Sequence, residues 1–201
     1  MPEPVNSRRR LPYPGTGAIV YVPREIWVQS LEALRLYGRL GSEGLVLWGG
    51  TISNGTTQVT GLFVPGHEPQ GGHVKMTAAE GRWLVRKLKE RDEKLVAQFH
   101  SHLGSAGHSP GDDDHAASAH EGFLSLVAAR FGRESLWPEH CGVHEYDGVT
   151  FRRMTAQEVR ERIRIAPLRE QLRALPEGLD QPGLMLWLST IASKLRRRLT
   201  G

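Results

Sequence analysis

The stretch Phe99-His100-Ser101-His102, followed six residues later by Ser109-Pro110-Gly111-Asp112, decides how the rest of the chain is read. Side chains alternate along a strand, so histidines two apart share one face. Ser109 reads as a helix N-cap, Pro110 fills the first helical position, and Asp112 falls on the first turn. A strand end bearing two imidazoles beside a helix start bearing a carboxylate can bring three ligands to one zinc. The fourth position then stays open for water, which is the pattern of a catalytic metal site rather than a closed structural one.

These residues resemble the JAMM/MPN+ metalloprotease family, whose signature is a glutamate, His-Ser/Thr-His, a spacer of seven and Ser-x-x-Asp. His100-Ser101-His102 and Ser109-x-x-Asp112 match it, and Glu43, just before the apolar run Gly44-Leu45-Val46-Leu47-Trp48, stands where the family glutamate is expected. Two departures lie in the loop: the spacer has six residues, and Leu103 replaces the proline that commonly follows the second histidine. With Asp113 and Asp114 next to Asp112, the shorter spacer leaves open a shift of the acidic ligand to Asp113. The resemblance implies an α/β fold of cytidine-deaminase-like type, a central mixed sheet flanked by helices, over residues 17–153. It implies Zn²⁺ held by His100, His102 and Asp112, Glu43 as general base, and Ser109 as hydrogen-bond donor to the oxyanion. The implied activity is zinc-dependent hydrolysis of the amide at the C-terminus of a ubiquitin-like modifier, by deconjugation or precursor processing. The implied partners are that modifier and its conjugates, with activating and conjugating enzymes of the same pathway, in a prokaryotic setting.

Composition sets the bounds. The 201 residues, 39% hydrophobic and 24% charged, suit one domain with an extension. The net charge of +4 is concentrated at the ends, in Arg8-Arg9-Arg10 and in Lys194 with Arg196-Arg197-Arg198, on an otherwise balanced chain. Solvated surface charge is the reading adopted for both clusters, and nucleic acid is not expected as a partner. A single cysteine, Cys141, excludes an internal disulfide and fits a reducing compartment. No apolar leader follows the early charges, and the longest apolar run, 183–188, is far short of the roughly 20 residues a bilayer requires. The expectation is a cytoplasmic protein without a membrane partner.

Working outward from the motif, residues 1–16 read as a loose tail. A strand over 18–22, a helix opened by Pro23 and stopped by Gly41, and a buried strand from Gly44 ending at Gly49-Gly50 follow. Asn54-Gly55 signals a hairpin with a return strand over 58–64. Residues 65–72, with three glycines, two prolines, His67 and Glu68, read as a loop able to touch substrate, flanked by Val64 and Val74. A helix over 77–93 precedes the strand 94–99 that delivers the histidines. Then come a helix over 112–119, a strand over 123–129 and a hairpin turning at Asp147-Gly148. From Thr155 the pattern reads as wholly helical, a C-terminal extension over 154–201 with helices over 156–165 and 184–199.

Competing functions are a metal-free scaffold of the same fold, a His-x-His phosphoesterase, and a DNA-repair-associated JAMM-like protein suggested by the basic termini. The scaffold would lack the ligands present here, and the phosphoesterase needs several further ligands downstream. Cys141 beside His140 and His144 invites a thiol nucleophile, but nothing in sequence supplies it with a base and an orienting group. His108 and His115 read either as groups supporting the metal ligands from behind or as surface groups, and the surface reading is the one adopted.

Overall fold

The computed structural model describes residues 17–53, 55–66 and 74–166. It is a mixed α/β structure on one eight-stranded sheet, with strand order β7-β6-β5-β4-β2-β3-β1-β8. In chain order the elements are β1 (Ile19–Pro23), α1 (Arg24–Arg39), β2 (Leu45–Ser53), β3 (Thr56–Phe63), α2 (Ala78–Glu90), β4 (Lys94–Ser101), α3 (Pro110–Asp114), β5 (Leu124–Ala128), β6 (Gly142–Tyr146), β7 (Phe151–Arg153), α4 (Ala156–Arg162) and β8 (Ile163–Ala166). The pairs β1–β3, β1–β8 and β4–β5 are parallel and the rest antiparallel.

Alternation along the central strands feeds two cores. Val46 pairs with Phe99 and Trp48 with Ala97 across β2 and β4. On that face Trp27 of α1 stacks on Phe99 at 5.3 Å between ring centroids, and Trp48 meets Phe99 edge-on at 5.9 Å. The indole N–H of Trp48 donates to Ser30 Oγ at 2.9 Å, so its burial leaves no polar group unpaired. Leu45 and Leu47 point the other way and pack with Phe63, Leu84 and Leu88, the last two from α2. Helix α2 starts with a full capping box in which Thr77 and Glu80 satisfy each other's backbone N–H groups. Gln98 and His100, alternating with Phe99, lie on this second face.

Four expectations need correction. Strand β2 runs through Gly49-Gly50 to Ser53, because bulges at these glycines absorb the change of register instead of ending the pairing. Strand β4 extends to Ser101 and therefore contains His100. Helix α3 spans 110–114 rather than 112–119, since Ala117 donates its N–H to the side chain of Gln98 rather than continuing the turn. The region after Thr155 is not wholly helical: α4 ends at Arg162, and 163–166 form β8, pairing in parallel with β1. Helix α4 is tied to the sheet by Arg162, whose Nε donates to Glu145 Oε1 at 2.9 Å with both side chains buried. The expected tail over 1–16, most of the loop over 65–72 and the helix over 184–199 lie outside the described residues.

Candidate metal centre

Strand β4 presents His100 on the face away from Phe99, and His102 follows at its end. The backbone of His102 is fixed on both sides, its N–H donating to Ala128 O at 3.0 Å and its carbonyl accepting from Phe131 N–H at 2.9 Å. The third group comes from α3. Ser109 caps this helix by accepting the Asp112 N–H at 3.2 Å, and its own N–H donates to Asp112 Oδ2 at 2.6 Å. The cap therefore aims the carboxylate as well as starting the helix.

The result is a convergent triad. His100 Nε2 lies 3.1 Å from His102 Nε2, 3.3 Å from Asp112 Oδ1, and His102 Nε2 lies 3.5 Å from Asp112 Oδ2. A tetrahedron with zinc-type bonds of 2.0–2.1 Å has ligand-to-ligand edges of about 3.3 Å; the two imidazole nitrogens stand close to that spacing, and each has a different Asp112 oxygen within 3.5 Å. Two imidazole nitrogens facing one another beside a carboxylate are the donor set a divalent cation completes. The residues present therefore fit a metal. Burial pushes the Asp112 carboxyl up, but hydrogen bonds from His100, His102 and the Ser109 N–H outweigh it and hold the group ionised far below the usual carboxylate range. The hydrogen bond to Asp112 raises the His102 pKa against the opposing effect of burial.

Glu43 sits at the edge of this cluster. Burial raises its pKa and the two histidines pull it back down, while its carboxylate accepts the Leu103 N–H. Its position depends on the serine between the histidines. Ser101 donates its N–H to Gly44 O and accepts the Gly44 N–H on Oγ, both at 3.0 Å, joining the start of β2 to the end of β4. Asp113 does not join the triad. It pairs with His108 Nδ1 at 2.8 Å, so the shorter spacer has not moved the carboxylate to the next residue. Among the described residues, His100, His102 and Asp112 form the one group of three or more His, Cys, Asp or Glu side chains with convergent donor atoms. The further ligands that a phosphoesterase reading requires are not found there. Burial pushes the Cys141 thiol up to about 12, which leaves no reactive thiolate.

No family model matches the chain. It is 34% identical over 133 residues to a protein named "probable metalloprotease y4jG" from Sinorhizobium fredii, an alignment spanning 64% of this chain and 82% of the relative. The chain belongs to that metalloprotease family. The solution structure of protein DSY2949 from Desulfitobacterium hafniense superposes with a TM-score of 0.56 at 16% identity, covering 74% of this chain and 94% of that one, which shows a shared fold.

Three supports of this candidate centre were not legible in the sequence. His108, expected at the surface, is buried: its side chain is 6% exposed and its ring stacks on His144 at 4.5 Å. Gly142 of β6 lies directly beneath the carbonyl of Ala106 in the spacer loop, where any Cβ would collide with it. Arg130 and Phe131 both adopt left-handed backbone, φ 49° and 56°, a conformation costing roughly 1–2 kcal/mol per non-glycine residue. That turn donates the Phe131 N–H to His102 O and the Arg130 N–H to Gly104 O. It is held by the Phe131 ring, which fills the space left by the missing side chain of Gly38. Strain of this kind, bonded to the backbone that carries His102, persists only where the surrounding structure over-determines it. No local signal marks Arg130 or Phe131; only the close contact with α1 requires their conformation.

Proposed function

We propose that the protein is a zinc-dependent peptidase or isopeptidase of the JAMM/MPN+ type, cleaving the amide at the C-terminus of a ubiquitin-like modifier. The observation carrying the reading is the meeting of His100, His102 and Asp112 with Glu43 beside them, in a motif order resembling that family's. The modifier class rests on that resemblance.

His100, His102 and Asp112 would hold the ion, leaving one position open. When bound, zinc polarises the scissile carbonyl and lowers the pKa of a water from 15.7 towards roughly 7. Glu43 takes the proton from the attacking water and returns it to the leaving amine. The Leu103 N–H keeps its carboxylate in place, and partial burial raises its affinity for the proton it must carry. Ser109 donates its hydroxyl hydrogen to the developing oxyanion. Its oxygen already accepts the Asp112 N–H and the residue is exposed, so the O–H remains free to point towards substrate.

The test is direct. Purified protein is assayed for metal by elemental analysis and for release of a fluorophore amide-linked to the C-terminal tail of a ubiquitin-like protein. One zinc per chain and chelator-sensitive release are expected. Release undiminished after chelation and dialysis would overturn the metal-dependent mechanism. Zinc bound without cleavage of any modifier tail, but with cleavage of unrelated peptides, would overturn the substrate class.

A further inference from the structure

Helix α3 carries both Ser109, at its N-cap, and Asp112, yet it is a single turn of five residues. One turn fixes several dihedrals for very few hydrogen bonds and does not persist alone, so its position must be imposed from outside. The sheet supplies the anchor. Gln98 of β4 and Ser125 of β5 are register partners, and Gln98 Nε2 donates to Ser125 Oγ at 2.9 Å. Beyond the helix, the Ala117 N–H reaches back to Gln98 Oε1 at 2.8 Å. Before the helix, His108 Nε2 lies 2.9 Å from Ser125 Oγ, while His108 Nδ1 lies 2.8 Å from the Asp113 carboxylate. With the proton on Nδ1, the links run in one direction: Gln98 Nε2–H to Ser125 Oγ, Ser125 O–H to His108 Nε2, His108 Nδ1–H to Asp113.

We propose that His108 is a positioning residue, setting the Asp112 carboxylate and the Ser109 hydroxyl by bridging the first turn of α3 to the Gln98–Ser125 pair on the sheet. The bridge acts where the six-residue spacer ends, and the ring is held from the sides as well, against His144 at 4.5 Å and Phe151 at 5.2 Å between centroids. Ser109 is the next residue and Asp112 lies between the two ends of the bridge, so a ring fixed at both nitrogens leaves the intervening carboxylate little freedom. His108 is not among the three convergent donors, and its ring lies 6.0 Å from that of His100 between centroids. Its effect passes through the placement of α3, and the inference rests on the metal-dependent function proposed above.

The experiment titrates cobalt(II) into metal-free protein, following its visible absorption, and separately measures kcat and KM on the modifier-tail substrate. His108→Phe retains the ring volume and the stack on His144 but makes neither hydrogen bond. Outer supports of metal ligands typically contribute 10–100-fold in affinity or activity, so the cobalt Kd should rise by that factor. The value of kcat should fall while KM stays within about twofold. His108→Asn, which can again offer an N–H towards Asp113, should recover part of the affinity. A residue that merely packs would lower the melting temperature and leave the cobalt Kd alone. Should His108→Phe fail to fold, Asp113→Ala breaks the same bridge at a half-exposed carboxylate and should weaken cobalt roughly tenfold. Cobalt affinity and kcat within threefold of wild type in the folded variant overturn the inference. A wild-type protein that binds no cobalt overturns the proposed function and this inference together, so the two failures are told apart.

Discussion

Replacing Glu43 by glutamine separates proton transfer from every other duty of the site. The amide retains an oxygen that can accept the Leu103 N–H, so the side chain stays where the carboxylate was. The bond to Leu103 loses its charge assistance, and so roughly half its strength. Against that loss, burial already opposes the ionised form of Glu43, and the neutral amide escapes this cost. The two effects have opposite sign, and net fold stability should change by no more than about 1 kcal/mol. All three residues of the metal triad remain, so metal content should match wild type. What disappears is the only proton acceptor assigned to the attacking water. General base catalysis supplies about 10²–10⁴-fold, equivalent to about 3–5 kcal/mol of barrier, and kcat should fall by that amount with KM little changed. Continuous fluorescence from the modifier-tail amide gives kcat, elemental analysis gives metal content, and thermal circular dichroism confirms the fold. Turnover within tenfold of wild type in a fully metallated, folded variant would refute the assignment of Glu43 as base. If turnover is lost as expected, the inactive variant should still retain the modifier-tail substrate in a pull-down, as the proposed substrate class requires.

Further outcomes follow from the same geometry. Asp112→Ala should strip most of the metal, because two imidazoles alone hold it poorly, whereas Asp114→Ala, at an exposed position, should leave content normal by elemental analysis. Arg162→Leu strands the buried Glu145 carboxylate and should destabilise the protein by about 3–5 kcal/mol in urea denaturation. A loss under 1 kcal/mol would show that α4 is not integral to the sheet. Glu93, buried beside Thr60 and Arg91, has its pKa raised by burial more than those partners lower it. A carboxyl with a raised folded pKa stabilises while protonated, below its unfolded value, and that contribution is lost as pH rises through the folded value. Glu93→Gln should therefore be more stable than wild type at pH 7 and no more stable near pH 4, as read from denaturation midpoints at the two pH values.

Much of the site could be read from the sequence because its rules are local. Strand alternation puts His100 and His102 on one side, and Ser-Pro-x-Asp is a helix start in which serine and aspartate satisfy each other's backbone donors. The capped start of α2 and the strands around the Asp147-Gly148 turn are equally short-range. Where the reading failed, a distant partner overrode a local pattern. Residues 156–165 are amphipathic enough for a continuous helix, yet the unpaired edge of β1 captures Ile163–Ala166, and the Ile-Arg-Ile alternation there was the available signal. His108 looks like any polar loop residue until Ser125 and Asp113 close on its two nitrogens. The left-handed turn at Arg130 and Phe131 exists because Phe131 occupies the gap at Gly38, 93 positions earlier in the chain. Sequence by itself determined which side chains could bind a metal, since donor chemistry and the face a residue occupies depend on its immediate neighbours. Only the tertiary structure shows Asp112 rather than Asp113 facing the two histidines, because the Ser109 cap turns the Asp112 carboxylate towards them while Asp113 pairs with His108, itself held against Ser125 of the sheet.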